Sequence, residues 1–161
     1  MNNNYTVKSI GKIKIEDYKF YLEINQEYIK GLNGLEGFNY INVLFWCHLL
    51  DSSENRNQLE VKKPYQKAPD KLGTFATRSP ARPNPIALTP VYISHIDYKK
   101  GIIQIPYIDA ENDSPIIDIK PYTPSLDRIK NVKVPDWCSH WPKWQEDSAS
   151  FDWESEFTHT R

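Results

Sequence analysis

The sequence predicts a mainly β fold: a small antiparallel β-barrel, closed or partly closed, followed by a short, irregular, aromatic C-terminal tail. Three observations predict it. Short runs of β-branched and aromatic residues recur at close spacing, with clusters of Gly, Asn, Asp and Ser between them. No helical pattern of about 10 to 15 residues separates these runs, so the βαβ rhythm of a doubly wound sheet is missing. Trp137, Trp141, Trp144 and Trp153, four of the five tryptophans, gather near the C-terminus, where Pro135 and Pro142 forbid one continuous helix.

In chain order, residues 5–15 place Ile13 and Ile15 on one parity and read as a half-buried strand. Residues 19–24 repeat the pattern with Phe20, Leu22 and Ile24. Gly31, Gly34 and Gly37 make the next stretch a turn or a short irregular helix. Residues 38–50 are aromatic and β-branched, then continuously apolar. They predict a central strand with both faces covered, or with one face in an interface. Residues 51–71 are polar and contain Pro64 and Pro69, a long loop of the kind that often holds function. Leu72 to Thr77 predicts a short strand, after which Pro80, Pro83 and Pro85 exclude a regular central ladder. Strand character returns over 86–97. A hairpin turn follows over 98–101, then a strand over 102–108 whose Pro106 marks an edge or a bulge. Glu111 to Ser114 form another turn before a last strand over 116–120. Two regions result: a barrel domain over 5–142 and an acidic aromatic tail over 143–161, packed on the barrel or on a partner subunit.

A chain of 161 residues buries a core without metal or disulfide staples, and 39% hydrophobic with 13% aromatic residues excludes general disorder. The longest apolar run, Ile41 to Leu50, is about half the length of a membrane span. The first residues lack the basic patch and apolar stretch of a signal peptide. Cys47 and Cys138 are the only cysteines, which excludes a disulfide framework and points to a reducing, cytoplasmic setting. Cys47–His48 and Cys138–His140 lack zinc-finger spacing, and adjacent ligands in a strand point to opposite faces, so no metal site is expected. Neither a glycine-rich phosphate loop nor a G-x-S-x-G elbow is present.

The net charge of −1 attracts no polyanion globally, but charge is unevenly placed. Between Glu60 and Pro85, Lys62, Lys63, Lys67, Lys71, Arg78 and Arg82 face only Glu60 and Asp70. Over the last 27 residues, six acids face Lys143 and Arg161. This asymmetry serves solubility or brings an anionic substrate to one surface. The sharpest feature is the stretch from Gly73 to Ile86, where three prolines in six residues stiffen a loop bearing Arg78, Arg82 and Asn84. Rigid arginines suit carboxylate or phosphate, and Asn84 suits an adenine edge or an amide. The same loop also reads as a stiff surface crossing whose arginines pair with local acids. Asp118 and Lys120 share a parity on the last strand, either as the rim of a site or as an internal ion pair. His48, at the end of an apolar strand, is a base near neutral pH or a structural residue.

The segment LGTFATRSPARPNPIAL, Leu72 to Leu88, resembles the signature of the TsaA-like family, also called the TrmO family. GLEGFNYINVLFWCH, Gly34 to His48, and DSPIIDIKPYTP, Asp113 to Pro124, resemble two further family blocks in the same order and spacing. The resemblance extends over roughly residues 10–142. It implies a small antiparallel β-barrel methyltransferase that uses S-adenosyl-L-methionine. The acceptor it implies is N6 of threonylcarbamoyl-modified adenosine, 3′ of the tRNA anticodon. It also implies a homodimer, with tRNA as partner and the donor near the subunit interface.

Carried onto this chain, the resemblance makes Phe75, Ala76, Thr77, Arg78, Asn84 and Ile86 donor-binding residues, together with His48 and Tyr122. Asp118, Arg82 and Lys120 become the catalytic set, and Lys62, Lys63, Lys67 and Lys71 the holders of tRNA phosphates. The chain departs from the family in three places. The proline-containing loop after the first strand is replaced by Glu16, Asp17 and Tyr18, and Ala87 stands where a glycine is common. The C-terminal domain of the bacterial tRNA enzyme has no counterpart beyond the short aromatic tail. These departures keep two alternatives open: a methyltransferase for a small molecule or another nucleobase, and a non-catalytic binder of the donor.

Overall fold

The computed structural model describes residues 5–158. Among the described residues nine strands form: β1 (Gly11–Glu16), β2 (Lys19–Ile24), β3 (Tyr40–Trp46), β4 (Glu60–Lys62), β5 (Lys71–Gly73), β6 (Ile86–Tyr92), β7 (His95–Asp97), β8 (Ile102–Ile105) and β9 (Pro115–Pro121). Seven of them make one antiparallel sheet in the order β6-β3-β9-β1-β2-β8-β7, and β4 pairs with β5 separately. The chain divides into two compact units. The barrel unit comprises the residues up to Ser52 and Asn84–Arg128; the loop–tail unit comprises Ser53–Pro83 and the residues from Ile129 onward.

In the barrel unit, β1 and β2 join through Asp17 and Tyr18, both at positive φ (49° and 60°), with Glu16 opposite Lys19. Positive φ at both central residues is what a two-residue type I′ hairpin requires. The absent family loop is therefore replaced by the shortest connection two antiparallel strands can take. Side chains alternate along the strands, so Ile13, Leu22, Ile41, Val43, Ile103 and Ile116 are buried in one shared core. Gly11 pairs with both Ile24 and Ile116, and a Cβ there would lie 2.2 Å from the Glu23 carbonyl oxygen. Only glycine permits that approach.

Strands β6 and β7 lie at opposite edges of the sheet, yet only Ile93 and Ser94 separate them. The three Cα steps from Tyr92 to His95 span at most about 11 Å, so the sheet must be rolled until its edges meet at this corner. Backbone bonds hold the corner on both sides: Ile93 N–H donates to the Asn39 carbonyl and Ser94 N–H to that of Gln104. This makes the mainly β, barrel-like architecture a direct consequence of the connectivity. Among the described residues, closure rests on the corner and not on a β6–β7 ladder.

Several local expectations need correction. The first strand begins at Gly11, not at residue 5. Strand β3 ends at Trp46, and His48–Leu50 is a 3₁₀ turn. The inner face of β3 is core, but its outer face, from Tyr40 to Trp46, is only half-buried. Pro106 does not mark an edge: β8 lies between β2 and β7 and stops at Ile105, because proline cannot donate to the ladder. Residues 51–71 are not all loop, since they include a helical turn over Ser53–Arg56 and β4. Leu72 to Thr77 is not a strand throughout; β5 ends at Gly73 and Thr74–Ala76 is a 3₁₀ turn.

The loop–tail unit is built on aromatic packing. The Tyr65 ring stacks on Trp137 (5.5 Å between centroids, 8° between planes) and meets Trp141 edge-on at 4.8 Å. Glu156, though buried, accepts hydrogen bonds from Trp141 Nε1 at 3.0 Å and lies 3.1 Å from His140 Nε2, which offsets the cost of burying a carboxylate. Ser53–Pro83 shares a compact unit with the segment after Arg128. Of the acidic tail over 143–161, residues 159–161, Arg161 among them, lie outside the described residues.

Gly11→Ala places a methyl group against backbone that cannot yield. It should destabilise the chain by about 3 kcal/mol, the upper end of ordinary overpacking, and lower the melting temperature by roughly 6–12 °C. Thermal unfolding followed by circular dichroism checks this, and an unchanged melting temperature would contradict the close β1–β2 approach.

Candidate functional site

The loop from Gly73 to Pro83 lacks backbone donors at Pro80 and Pro83, so side chains must fix its shape. Thr74 anchors its start: its N–H donates to the Leu59 carbonyl at 2.9 Å and its hydroxyl to the Gln58 carbonyl at 2.7 Å. The buried Thr77 hydroxyl donates to the Thr74 carbonyl at 2.8 Å and accepts from Ser79 N–H at 3.2 Å. The Ser79 hydroxyl accepts from Ala81 N–H at 3.3 Å. These are local hydroxyl-to-backbone bonds of the kind that replace regular ladders in turns. Arg82 folds back, its Nη2 donating to the Thr74 carbonyl at 3.4 Å, while Arg56 donates to the Pro83 carbonyl at 3.2 Å.

Arg78 lies on the exposed side of this loop. Burial pushes the Tyr65 phenol above its ordinary pKa, and the Arg78 amide opposes that shift. Phe75 is 78% exposed, Ala76 is exposed and Thr77 is buried. In the same unit Lys62, Lys63, Lys67 and Lys71 are all exposed. Lys62 stands directly opposite Lys71 across β4 and β5, and Lys71 Nζ pairs with Glu60 Oε2 at 3.1 Å.

In the barrel unit the register of β3 against β9 slips, with Leu44 opposite Asp118 but Phe45 opposite Ile116. Ile117 is thus the extra residue of a bulge, which re-aims the strand end. Ile116 and Ile119 both reach the core, and Asp118 and Lys120 share the opposite side. Lys120 Nζ lies 2.7 Å from Asp118 Oδ2, and this carboxylate holds the lysine above its usual pKa. Asp118 Oδ1 accepts from Ile119 N–H at 2.9 Å.

A cleft of about 500 Å³ opens beside Asp118, walled by Tyr28, Leu32 and Leu35 of the glycine-rich segment together with Phe38, Ile119 and Pro121. Asp118 is the one predicted site residue lining it. His48 is elsewhere: its Nδ1 lies 3.3 Å from the buried Ser114 hydroxyl. Tyr122 packs its ring against Tyr40 and donates its N–H to the Tyr40 carbonyl. Asn84 is exposed, its carbonyl accepting from Ile86 N–H, and Ile86 pairs with Trp46.

Among the described residues no group of three or more His, Cys, Asp or Glu side chains is arranged to hold a metal ion. Cys138 donates to the Pro135 carbonyl, and burial raises its thiol pKa. No described helix is long and apolar enough to cross a membrane.

The family model of the tRNA-methyltransferase O N-terminal domain matches residues 11–128. The chain belongs to that family. A probable S-adenosyl-L-methionine-binding protein of Methanocaldococcus jannaschii is 43% identical over 123 residues, 76% of this chain and 96% of that protein. An S-adenosyl-L-methionine-binding protein of Archaeoglobus fulgidus is 36% identical over 112 residues, 70% of this chain and 75% of that protein. The crystal structure of TrmO from Pseudomonas aeruginosa superposes with a TM-score of 0.61 at 25% identity, over 81% of this chain. This chain spans 62% of that solved chain.

The match to the tRNA-methyltransferase O N-terminal domain family takes in the proline loop, the bulged β9 and His48, and it stops before the aromatic tail. Sequence reasoning missed Tyr65, Thr74 and the cleft. Tyr65 sits between Pro64 and Gln66 in a polar stretch, and its ring partners are more than seventy residues away. No local pattern could have found it. Thr77→Val keeps the size of the side chain and removes both hydroxyl bonds. It should cost about 1 kcal/mol, chiefly because the Ser79 N–H loses its acceptor, and increase proteolytic cleavage within residues 74–82. Urea unfolding and limited proteolysis read the two effects.

Proposed function

We propose that this chain is an S-adenosyl-L-methionine-dependent methyltransferase whose acceptor is N6 of threonylcarbamoyladenosine in tRNA, acting in the cytoplasm as a homodimer. The observation that supports the reading best is the stiffened loop, fixed by Thr74, Thr77 and Ser79, with Arg78 on its exposed side. Its sequence lies inside a family match that spans most of the chain. The names of the archaeal relatives support the same donor.

The groups present suit the donor's chemistry. The Arg78 guanidinium suits its carboxylate, the exposed Asn84 amide suits an adenine edge, and the exposed Phe75 ring suits stacking on a base. When bound, the donor supplies a methyl group activated on a sulfonium. The chain's own work is alignment, exclusion of water and proton handling. An exocyclic adenosine nitrogen is a weak nucleophile, because its lone pair is delocalised into the ring. Asp118 accepts a hydrogen bond from that N–H and takes the proton as the new N–C bond forms. A carboxylate has about four lone-pair sites, so the bonds to Ile119 N–H and Lys120 leave capacity for one more. Lys120 fixes the carboxylate's position, and Arg82 keeps the loop folded while presenting its remaining N–H groups.

The exposed Lys62, Lys63, Lys67 and Lys71 support a polyanion as partner, because lysines gathered on one short stretch attract phosphates. For the homodimer, β6 is an edge strand whose Leu88 and Tyr92 are each 45% exposed. Sedimentation equilibrium should therefore return twice the chain mass of 18.9 kDa, and the chain mass alone would refute the dimer.

Calorimetric titration of the purified chain with S-adenosyl-L-methionine tests the donor. Arg78→Ala should weaken binding about 10- to 100-fold, the range for a lost charged hydrogen bond. Asp118→Asn should leave donor affinity within about twofold and slow methyl transfer to threonylcarbamoyl-modified tRNA by about 10²-fold. Donor binding with no transfer to this tRNA or to any metabolite would favour the binding-protein reading that the relatives' names suggest. Equal donor affinity in wild type and Arg78→Ala would remove Arg78 from the site.

A further inference from the structure

The chain turns away after β3 and leaves one imidazole against one buried hydroxyl. His48 opens the 3₁₀ turn His48–Leu50, in which Leu50 N–H donates to the Cys47 carbonyl at 3.1 Å, and Cys47 N–H donates to that of Pro85 at 2.8 Å. The His48 ring is half-buried, and its Nδ1 lies 3.3 Å from the Ser114 hydroxyl. Ser114 is 1% exposed and its backbone is fixed on both sides. Its N–H donates to the Glu111 carbonyl at 3.2 Å, and its carbonyl accepts the Ile13 N–H at 2.9 Å. Among the described residues, His48 Nδ1 is the one hydrogen-bond partner of the Ser114 hydroxyl, and His48 Nε2 has none. The charged groups next to this pair in the chain have partners of their own. Asp113 Oδ1 faces Lys12 at 3.1 Å and Lys14 at 3.9 Å, and its Oδ2 accepts from Asn112 Nδ2 at 2.8 Å. Asp51 Oδ2 accepts from Trp46 Nε1 at 2.9 Å.

A buried hydroxyl must place its proton, and the acceptor within reach is Nδ1. Nδ1 therefore presents its lone pair to Ser114, and in the neutral ring the proton sits on Nε2. We propose that Ser114 is a positioning residue that holds His48 in this one tautomer, so that His48 offers S-adenosyl-L-methionine a fixed N–H at Nε2. The inference rests on the methyltransferase reading above, with His48 among the residues that hold the methyl donor. A neutral N–H suits an oxygen of that molecule, either a ribose hydroxyl or the carboxylate. Because an already ordered serine sets the ring, a ligand that takes the Nε2 proton loses less entropy than one that must orient the ring itself. A ring held this way has no lone pair free for the proton of the reacting nitrogen, which agrees with Asp118 taking it.

The first reading needs the wild-type chain alone. Long-range proton–nitrogen NMR correlations, recorded above the pH at which the imidazole titrates, should show His48 with Nε2 protonated and Nδ1 bare. In Ser114→Ala the Nδ1–H form should become populated, while the amides of β3 keep their protection against exchange. Calorimetric affinity for S-adenosyl-L-methionine should fall about 3- to 10-fold in Ser114→Ala, the loss expected for one neutral hydrogen bond. That loss should vanish in a His48→Ala background, because the ring being positioned is gone. A wild-type ring protonated on Nδ1, or the same tautomer in wild type and Ser114→Ala, overturns the assignment of Ser114. A shifted tautomer with unchanged affinity, or an equal loss in both backgrounds, overturns the role of the Nε2 proton in binding. If the wild-type chain takes up no S-adenosyl-L-methionine, the methyltransferase reading fails, and the nitrogen shifts still decide whether Ser114 sets the ring.

Discussion

A segment with prolines at 80, 83 and 85 cannot hold itself with backbone ladders, and the side-chain bonds along it answer that constraint. The missing N–H groups and the fixed φ angles leave carbonyls without regular partners. Arg56 donates to the Pro83 carbonyl, and Arg82 adds a bond to the Thr74 carbonyl, which also accepts the Thr77 N–H. The hydroxyls of Thr74, Thr77 and Ser79 act at three successive turns. Proline thus removes freedom from the chain before folding, and short polar side chains select one conformation of what remains. The outcome is a loop that is irregular yet ordered, where rigid presentation of charged side chains is most useful.

The barrel unit solves a different problem, which is to aim charged groups outward from a sheet whose inner face is wholly apolar. Perfect alternation would have placed Ile116, Asp118 and Lys120 on one face, burying the acid and the lysine in the core. The bulge at Ile117 shifts the parity by one, so the isoleucines on both sides of it point inward and the Asp118–Lys120 pair is released. The same strand begins at a turn in which Asp113 sits at positive φ, with Lys12 3.1 Å and Lys14 3.9 Å from its carboxylate. Lys12 holds that carboxyl below the usual range, so its ion pairs are present at neutral pH and fade as pH falls through the lowered value. Turn and bulge together set the register of the strand that carries the cleft's acid.

What the sequence made legible follows from how local each signal is. Strand β2 was read at its observed bounds, because a period-two pattern bounded by turn residues is a local property. The turn at 98–101 was read from its composition, and there Gly101 takes a positive φ while Asp97 accepts two backbone N–H groups. The shared side of Asp118 and Lys120 was read from parity, but the bulge beneath it depends on the partner strand and left no trace in the pattern. Residues 48–50 looked like strand because they are apolar, although their backbone turns away after Trp46. Asp118, Arg78 and the lysines stood out by residue type, whereas Tyr65 did not, since a tyrosine in a polar loop means nothing until its distant ring partners are known.

The acidic tail shares a unit with the basic hairpin, and two of its acids have partners within the tail. Glu156 is buried, and its two oxygens serve Trp141 and His140. Asp152 caps the short helix over Trp153–Glu156 by accepting the Ser155 N–H, which holds its carboxyl below the usual range. Two of the tail's acids are thereby consumed in folding the tail itself. Lys62, Lys63 and Lys67 remain exposed beside Lys71, which has Glu60 as a surface ion partner. An exposed pair of that kind is worth little and is readily exchanged for a phosphate. The charge that matters to an approaching polyanion is therefore the local charge of the β4–β5 hairpin, and net composition is a poor guide to it.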